Sequence, residues 1–208
     1  MVSKAEIEKM ARDIANEVLK GKFSINKILE NVSPKLSESV YNSNGTALKI
    51  ISEEKPKLLY PHWDFFKSLL KSRNNYLKMH ALYILANLCK VDKEGKFEHI
   101  FEDLYDLLDC DSLMIANHTA LVFGKIAKVK PKMRKQITDQ LLSIDSTHWE
   151  PKRRDLIKSY VIKAFTEYFD VAPNKEDILK FVSNQLNTSS PSTNKEAAMF
   201  LKKFSIKD

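Results

Sequence analysis

The stretch LKMHALYILANL, residues 77–88, contains a small residue, Ala81, that is followed three residues later by an apolar one, Ile84. The same combination occurs in four more segments, as Ala47 and Ile50, Thr119 and Val122, Ser159 and Ile162, and Ala197 and Phe200. The five small residues are 34, 38, 40 and 38 positions apart along the chain. Such a period predicts a helical-repeat solenoid, in which pairs of helices stack on their neighbours.

Each of the five segments is predicted to be the second helix of a repeat. Positions three and four beyond the small residue share one side of that helix, which packs on the first helix of the pair. Apolar stripes with helical spacing predict four first helices: Trp63, Phe66, Leu69 and Leu70; Phe97, Ile100, Phe101, Leu104, Leu107 and Leu108; Met133, Ile137 and Leu141; Ile178, Val182 and Leu186. The opening helix of the first repeat is expected at Leu36 and Val40.

Prolines agree with these helix boundaries. Five of them fall at predicted helix starts, where a missing amide hydrogen costs nothing: Pro34, Pro61, Pro131, Pro151 and Pro191. Before the repeats, an amphipathic pattern predicts a helix from about Lys4 to Lys20. A solenoid needs such a cap because its end repeat otherwise exposes an apolar flank.

Two segments resemble the repeat pattern of the HEAT and armadillo families. The first has Leu69-Leu70, Leu77-Lys78, Ala81-Leu82, Ile84-Leu85-Ala86 and Leu88, and the second has Leu107-Leu108-Asp109, Asp111, Ile115, Thr119-Ala120, Val122-Phe123-Gly124 and Ile126. Together with the period, this resemblance favours an all-α fold, a right-handed α-solenoid of about five helix pairs with an N-terminal capping helix. The predicted organisation is a single domain over residues 1–208, with cap helices in residues 1–32 and helical repeats in residues 33–206.

Composition supports a helical protein of the cytoplasm. The 208 residues include only 4 glycines and 7 prolines, which is unlike an all-β fold. The sequence contains no signal-peptide pattern and no run of about 20 apolar residues that could span a bilayer. Two cysteines, Cys89 and Cys110, are too few for a disulfide framework or a zinc site, so we expect reduced thiols.

In such a stack, the second helices line a concave groove. The side of these helices opposite their core stripe is predicted to present apolar, aromatic, amide and lysine side chains: Met79, Tyr83, Asn87, Lys90, Asn117, Leu121, Lys128, Ile157, Val161 and Tyr168, together with the small residues Ala86, Gly124 and Ala164. This composition suits a peptide or an amphipathic helix of another protein. We therefore expect a non-catalytic scaffold or adaptor. A tightly curled stack that buries these residues as core is the structural alternative.

A basic region over residues 125–163 supports an alternative function. The chain carries a formal net charge of +7, and clustered Lys and Arg attract the phosphates of nucleic acids. The candidate contacts are Lys125, Lys128, Lys132, Arg134, Lys135, Arg153 and Arg154. Solvated surface charge explains the same residues and is the favoured interpretation.

An acidic band precedes the basic region and consists of Glu98, Glu102, Asp103, Asp106 and Asp109. We expect a solvated convex face here. Pairing of this band with the basic region of a second copy, in a head-to-tail assembly, is the alternative.

No residue set in the sequence points to catalysis. His80 and His118 occupy equivalent places in consecutive repeats, but no third metal ligand accompanies them. The chain has no glycine-rich phosphate loop, no paired-cysteine motif and no G-x-S-x-G sequence. Trp63 and Trp149 fall outside the predicted groove, unlike the aromatic groups of the HEAT-like DNA glycosylases. We expect neither an enzyme nor a metal, cofactor, membrane or small-molecule site.

Overall fold

The computed structural model describes residues 2–204, and within that range the chain forms helices and connecting turns without a β-strand. The predicted all-α class is confirmed. The chain divides into two compact units, Met1–Phe97 and Glu98–Asp208. The predicted end of the repeats at residue 206 lies outside the described residues. The single domain over residues 1–208 stays a prediction.

The first unit contains six α-helices in its described part: α1 (Lys4–Leu19), α2 (Ile25–Glu30), α3 (Glu38–Glu54), α4 (Pro56–Leu59), α5 (Trp63–Leu69) and α6 (Asn75–Leu88). Helix α3 packs against both α1 and α6, and α5 packs against α6. Helix α1 buries Ala11, Ala15 and Val18, which confirms the predicted N-terminal capping helix. A capping box between Ser3 and Glu6 satisfies its first backbone amides.

The helix predicted to open the first repeat does not form. Leu36 is 40% exposed in a turn, and Val40 belongs to the first turn of α3. Because α3 begins at Glu38, the residues between Pro34 and α3 amount to about one helical turn, which is too short for a stable helix. Pro34 therefore begins a turn, and the prediction for this repeat was wrong.

The second unit has six α-helices among its described residues: α7 (Phe101–Tyr105), α8 (Leu113–Val129), α9 (Arg134–Leu142), α10 (Pro151–Tyr168), α11 (Lys175–Ser183) and α12 (Pro191–Phe204). The long helices α8, α10 and α12 are the predicted second helices. Helix α10 packs against both α8 and α12, while the short helices α7, α9 and α11 alternate with them along the chain. This is the side-by-side stacking that the sequence period predicts.

Four of the five prolines predicted at helix starts lie where helices begin. Pro151 and Pro191 begin α10 and α12. Pro61 and Pro131 lie in 3-10 helical turns that lead directly into α5 and α9. At the first helical position the fixed φ angle of proline fits and its missing amide hydrogen removes no hydrogen bond.

The residues that define the sequence period are core residues. All five small residues are at most 2% exposed: Ala47, Ala81, Thr119, Ser159 and Ala197. Four of their apolar companions are equally buried, namely Ile84, Val122, Ile162 and Phe200. The fifth, Ile50, is half-buried. Burial of each large apolar side chain contributes about 1.5–3 kcal/mol, so the repeated pattern marks where the stabilising contacts lie.

Candidate functional site

In the first unit, the contact between α3 and α6 is a buried polar seam. The amide of Asn87 donates a hydrogen bond to Ser52 Oγ at 2.8 Å. Nearer the other end of the seam, Nε2 of His80 lies 3.2 Å from Oδ1 of Asn42. Gly45 permits this approach, because a Cβ atom at that position would overlap the His80 imidazole ring. The four polar side chains are at most 8% exposed, so their hydrogen bonds are made within the fold.

The tautomer of His80 follows from its partner. The Oδ1 atom of Asn42 can only accept, so Nε2 of His80 carries the proton and donates it. Its other ring nitrogen, Nδ1, has no hydrogen-bond partner among the described residues. Burial lowers the pKa of His80 to about 4, and the nearby charge of Lys49 acts in the same direction. The ring is therefore neutral at neutral pH.

The predicted groove residues of the first unit differ in their exposure to solvent. Met79 is half-buried, and Lys90 is exposed just beyond the end of α6. Tyr83 is 8% exposed, and the ammonium group of Lys49 lies 4.4 Å from its ring centroid. Asn87 faces the seam described above. Of this predicted set, Met79 and Lys90 present the most surface to a binding partner.

In the second unit, Gly124 brings α8 and α10 together. A Cβ atom there would lie 2.5 Å from the carbonyl oxygen and 2.6 Å from the Cα atom of Ala164. Because those are backbone atoms, they cannot move aside as the end of a side chain can. The prediction that Gly124 and Ala164 line an open groove is therefore wrong, since both are buried where the two helices meet.

Each long helix of the second unit keeps one stripe of exposed or half-buried residues with helical spacing. We call these stripes together the second-helix face, and they consist of Met114, Asn117, Leu121, Lys125 and Lys128 on α8, Arg153, Leu156, Tyr160, Lys163 and Glu167 on α10, and Ser192, Lys195, Met199 and Lys202 on α12. The face exposes large apolar side chains, with Leu156 at 41% and Met199 at 56%.

Contacts between neighbouring helices show how the stripes align. Lys128 and Glu167 are 39 residues apart, and their charged groups lie 3.4 Å from each other. The same offset of 39 residues relates Leu121 to Tyr160 and Tyr160 to Met199. These three side chains are therefore expected in one row across α8, α10 and α12. Lys125, Lys163 and Lys202, at offsets of 38 and 39 residues, form a parallel row.

Further contacts join the rows at the surface. The rings of His118 and Tyr160 meet edge to face with centroids 6.3 Å apart. Lys163 Nζ lies 5.1 Å from the Tyr160 ring centroid and 3.4 Å from a carboxylate oxygen of Glu196 on α12. Ion pairs at partly exposed sites contribute less than about 1 kcal/mol, so they orient these side chains more than they stabilise the fold.

The predicted groove residues of the second unit divide between α8 and α10. Asn117, Leu121 and Lys128 lie on the second-helix face of α8. In contrast, Ile157, Val161 and Tyr168 are at most 1% exposed. The hydroxyl group of Tyr168 forms a 2.8 Å hydrogen bond with that of Thr138 on the first helix α9. These three side chains are core in the structure, as in the buried alternative.

The exposed stripe of α10 is thus one residue earlier than predicted. It runs through Leu156, Tyr160, Lys163 and Glu167 rather than through positions 157, 161, 164 and 168. A one-residue shift turns a helix by about 100°, which exchanges a surface position for a core position. Sequence analysis therefore missed Leu156 and Tyr160. Lys163 was the available signal, because it lies four residues beyond Ser159. The equivalent position of the other four repeats is apolar: Ile51, Leu85, Phe123 and Leu201.

The basic residues proposed as nucleic-acid contacts are distributed over several elements, and three of the seven, Lys125, Lys128 and Arg153, belong to the second-helix face. Arg134 donates to the backbone carbonyls of Ala127 at 3.0 Å and Val171 at 3.2 Å. The remaining basic residues divide as follows: Lys125 and Lys128 on the second-helix face of α8, exposed Lys132 in the turn before α9, Lys135 paired with Asp139, Arg153 over the Trp149 ring, and Arg154 beside Asp145. Several of these side chains thus hold turns and helix ends in place.

The acidic band is exposed and contacts the following repeat. Glu98 accepts from Lys130 at 3.2 Å, and Glu102 accepts from Gln136 at 3.5 Å. Asp109 Oδ1 lies 2.5 Å from Nδ1 of His148 and also accepts from its backbone amide. The band therefore helps to join consecutive first helices within the second unit.

Among residues 2–204, no three or more His, Cys, Asp or Glu side chains are arranged to hold a metal ion. His80 and His118 have Asn42 and Tyr160, respectively, as neighbours. None of the described helices combines the length and the apolar character that a membrane span requires.

Comparisons with known proteins bear on the fold. No protein-family model and no curated protein matches the sequence. Among solved structures, an engineered protein of the Northeast Structural Genomics Consortium is similar over 97% of this chain and 93% of its own, with a TM-score of 0.64 and 16% identity. The designed armadillo repeat protein YIII(Dq)4CqI is similar over 95% and 91%, with a TM-score of 0.61 and 13% identity.

A third similar structure contains a ligand. The designed armadillo repeat protein YIII(Dq.V1)4CPAF in complex with the peptide (KR)4 matches 96% of this chain and 90% of its own, with a TM-score of 0.59 and 14% identity. At these identities the likeness shows the fold alone. The chain has the fold of an armadillo/HEAT-like repeat solenoid, which confirms the predicted fold class.

Proposed function

We propose that this chain is a non-catalytic scaffold or adaptor of the cytoplasm, and that the second-helix face of its second unit binds a peptide or helical segment of a partner protein. The observation that carries the proposal is that Leu121, Tyr160 and Met199 are half-buried or exposed on α8, α10 and α12, at equal offsets of 39 residues along the chain. Large apolar and aromatic side chains are the usual anchors of a protein interface, and an exposed row of them on a repeat protein has the form of an extended binding surface.

The fold likeness supports the same proposal. One of the similar structures is a designed armadillo repeat protein in complex with a peptide. A repeat solenoid presents equivalent positions of successive helices at a regular spacing, which suits a segment that lies across several repeats. In the first unit, considered by itself, Met79 and Lys90 have accessible surface and are proposed as contacts for a partner protein.

Leu156 and Leu186 provide a matched pair for testing the surface. Leu156 is 41% exposed on α10, and Leu186 is 39% exposed just after α11, a first helix. We expect Leu156→Asp to weaken partner binding at least tenfold, because it places a charge one helical turn from Tyr160 on the same stripe of α10. Leu186→Asp should change binding less than twofold. The partner is first isolated by affinity capture from a cell lysate on the wild-type chain. Its affinity is then measured for both variants, and circular dichroism checks their helicity.

One outcome would contradict the proposal, and a second would require another variant. Equal loss of binding in both variants, with helicity intact, would move the contact away from the second-helix face. Unfolding of Leu156→Asp alone would make Leu156 a core residue, and Met199→Asp at the 56% exposed position then tests the same row without touching the core.

A further inference from the structure

The charge of the second-helix face has one predominant sign. Between its first and last residues the stripes contain six basic residues, Lys125, Lys128, Arg153, Lys163, Lys195 and Lys202, and one acidic residue, Glu167. Glu196 of α12 adds a second carboxylate at the edge, where it pairs with Lys163. Basic residues therefore outnumber acidic residues on this face.

The positive charges are ordered relative to the apolar side chains. The row of Lys125, Lys163 and Lys202 lies about one helical turn beyond the row of Leu121, Tyr160 and Met199 on each helix. Packed helices lie about 8–10 Å apart, so neighbouring lysines along the row recur at about that spacing. Gly124 brings α8 and α10 toward the lower end of that range.

We propose that the partner segment is acidic, with a carboxylate and an apolar side chain in each of successive triplets, and that it lies across α8, α10 and α12. This inference rests on the proposed function and specifies its partner. A chain in the polyproline II conformation repeats every three residues and advances about 9 Å per repeat, which matches the spacing of the helices. Its carboxylates meet the lysine row while the adjacent apolar side chains meet the Leu121, Tyr160 and Met199 row.

The positive charge of the second-helix face predicts a different ligand from that of one structural neighbour. The designed armadillo protein cited above is in complex with (KR)4, a basic peptide. On the face described here, a basic peptide meets an excess of lysines, and like charges oppose binding. The same fold is therefore expected to select a partner of the opposite charge.

The test compares two synthetic peptides by fluorescence anisotropy with the full chain. One consists of repeated Glu-Leu-Pro triplets and the other of Lys-Leu-Pro triplets, so that length and apolar content are the same. We expect the acidic peptide to bind at least tenfold more tightly. Its affinity should also fall about fivefold between low and high salt, because the lysine contacts are screened.

Two double variants with the same change in net charge locate the contact. Lys125→Glu with Lys202→Glu alters the lysine row, and we expect it to weaken binding of the acidic peptide about tenfold. Lys132→Glu with Lys180→Glu alters exposed positions on the turn before α9 and on α11, and should change the affinity less than twofold. Thermal unfolding of each variant confirms that it is folded.

Each remaining outcome overturns the inference in a recognisable way. Equal binding of the two peptides, still lost in Leu156→Asp, would leave the proposed function intact and remove the acidic partner. Preferential binding of a single-stranded oligonucleotide that depends on Lys125 and Lys202 would replace the peptide with a nucleic acid. Absence of binding to either peptide at millimolar concentration, or binding unaffected by both double variants, would also refute the inference.

Discussion

The α3–α6 contact of the first unit and the α8–α10 contact of the second unit differ in the groups that pack where the two helices come close together. Both pairs approach closely at a glycine, Gly45 or Gly124. In the first unit the glycine faces an imidazole ring, and amide, hydroxyl and imidazole groups fill the seam. In the second unit it faces the backbone of Ala164, and polar contacts lie at the exposed edge.

This difference shows which polar side chains are available to a partner. The buried seam of the first unit uses Asn42 and Asn87 within the fold. The second unit places Lys128, Tyr160 and Lys163 where they join neighbouring helices and still have accessible surface. A polar residue on a second helix is therefore not by itself a sign of binding. Whether it is available to a partner depends on whether it lies in the buried contact between helices or at its exposed edge.

Acidic pH is expected to lower the stability of the first unit by more than any substitution considered below. The pKa of His80 is about 4 in the folded chain, whereas that of an unperturbed histidine is about 6.5. The unfolded chain therefore binds more protons between these values, so stability falls as the pH decreases from about 6.5 to about 4. The loss approaches about 3 kcal/mol.

His80→Gln tests this effect, since glutamine can still donate to Asn42 but does not titrate. Urea unfolding from pH 7 to pH 4 should show a steeper loss of stability in the wild type than in the variant. Parallel curves for the two proteins would contradict the buried, neutral histidine. Carboxylates titrate in both proteins, so they cancel in the difference.

The two glycines should respond unequally to a methyl group. Gly124→Ala is expected to lower the free energy of unfolding by about 2 kcal/mol, because the backbone of Ala164 cannot move aside without separating two helices. Gly45→Ala meets a side chain instead, and the better helix propensity of alanine offsets part of its cost, leaving about 1 kcal/mol. Thermal or urea unfolding measures both. A larger loss for Gly45→Ala would reverse the comparison.

Two asparagines allow the stability contribution of a side chain in the buried α3–α6 seam to be compared with that of a side chain on the second-helix face. Asn87 is 3% exposed and donates to Ser52, so Asn87→Ala should cost about 1–2 kcal/mol of stability. Asn117 is half-buried on the second-helix face, and its Oδ1 atom, which is itself buried, has no hydrogen-bond partner in the described part of the chain. Asn117→Ala should change stability by less than about 0.5 kcal/mol. Equal losses in chemical denaturation would show that Asn117 is also structural.

The sequence was sufficient to predict the repeat fold because the repeated residues are the ones that pack. Ala81 and Ala197 recur with the period and are fully buried, as a close helix contact requires. The first repeat was mispredicted at Leu36 because an apolar residue beside a proline also fits a turn. Local pattern alone cannot distinguish these cases when only a few residues separate Pro34 from the next helix.

The binding surface was harder to predict because it depends on the rotation of each helix. On α8, Leu121 was assigned to the correct side. On α10, the assumption that Ser159 faces the same way as Thr119 turned the predicted surface by one residue, toward Val161 and Tyr168. The rotation of α10 is set by its packing against α8 and α12, whose residues lie outside the local pattern of α10 itself.

Photo-crosslinking from two positions of the second unit determines whether the second-helix face contacts the partner segment. A photoreactive residue is placed at Tyr160, on the second-helix face, or at Leu186, after the first helix α11. We predict that the partner segment crosslinks from position 160 and that the acidic triplet peptide competes for this crosslink. Crosslinking from position 186 alone, or equal yields from both positions, would contradict the account.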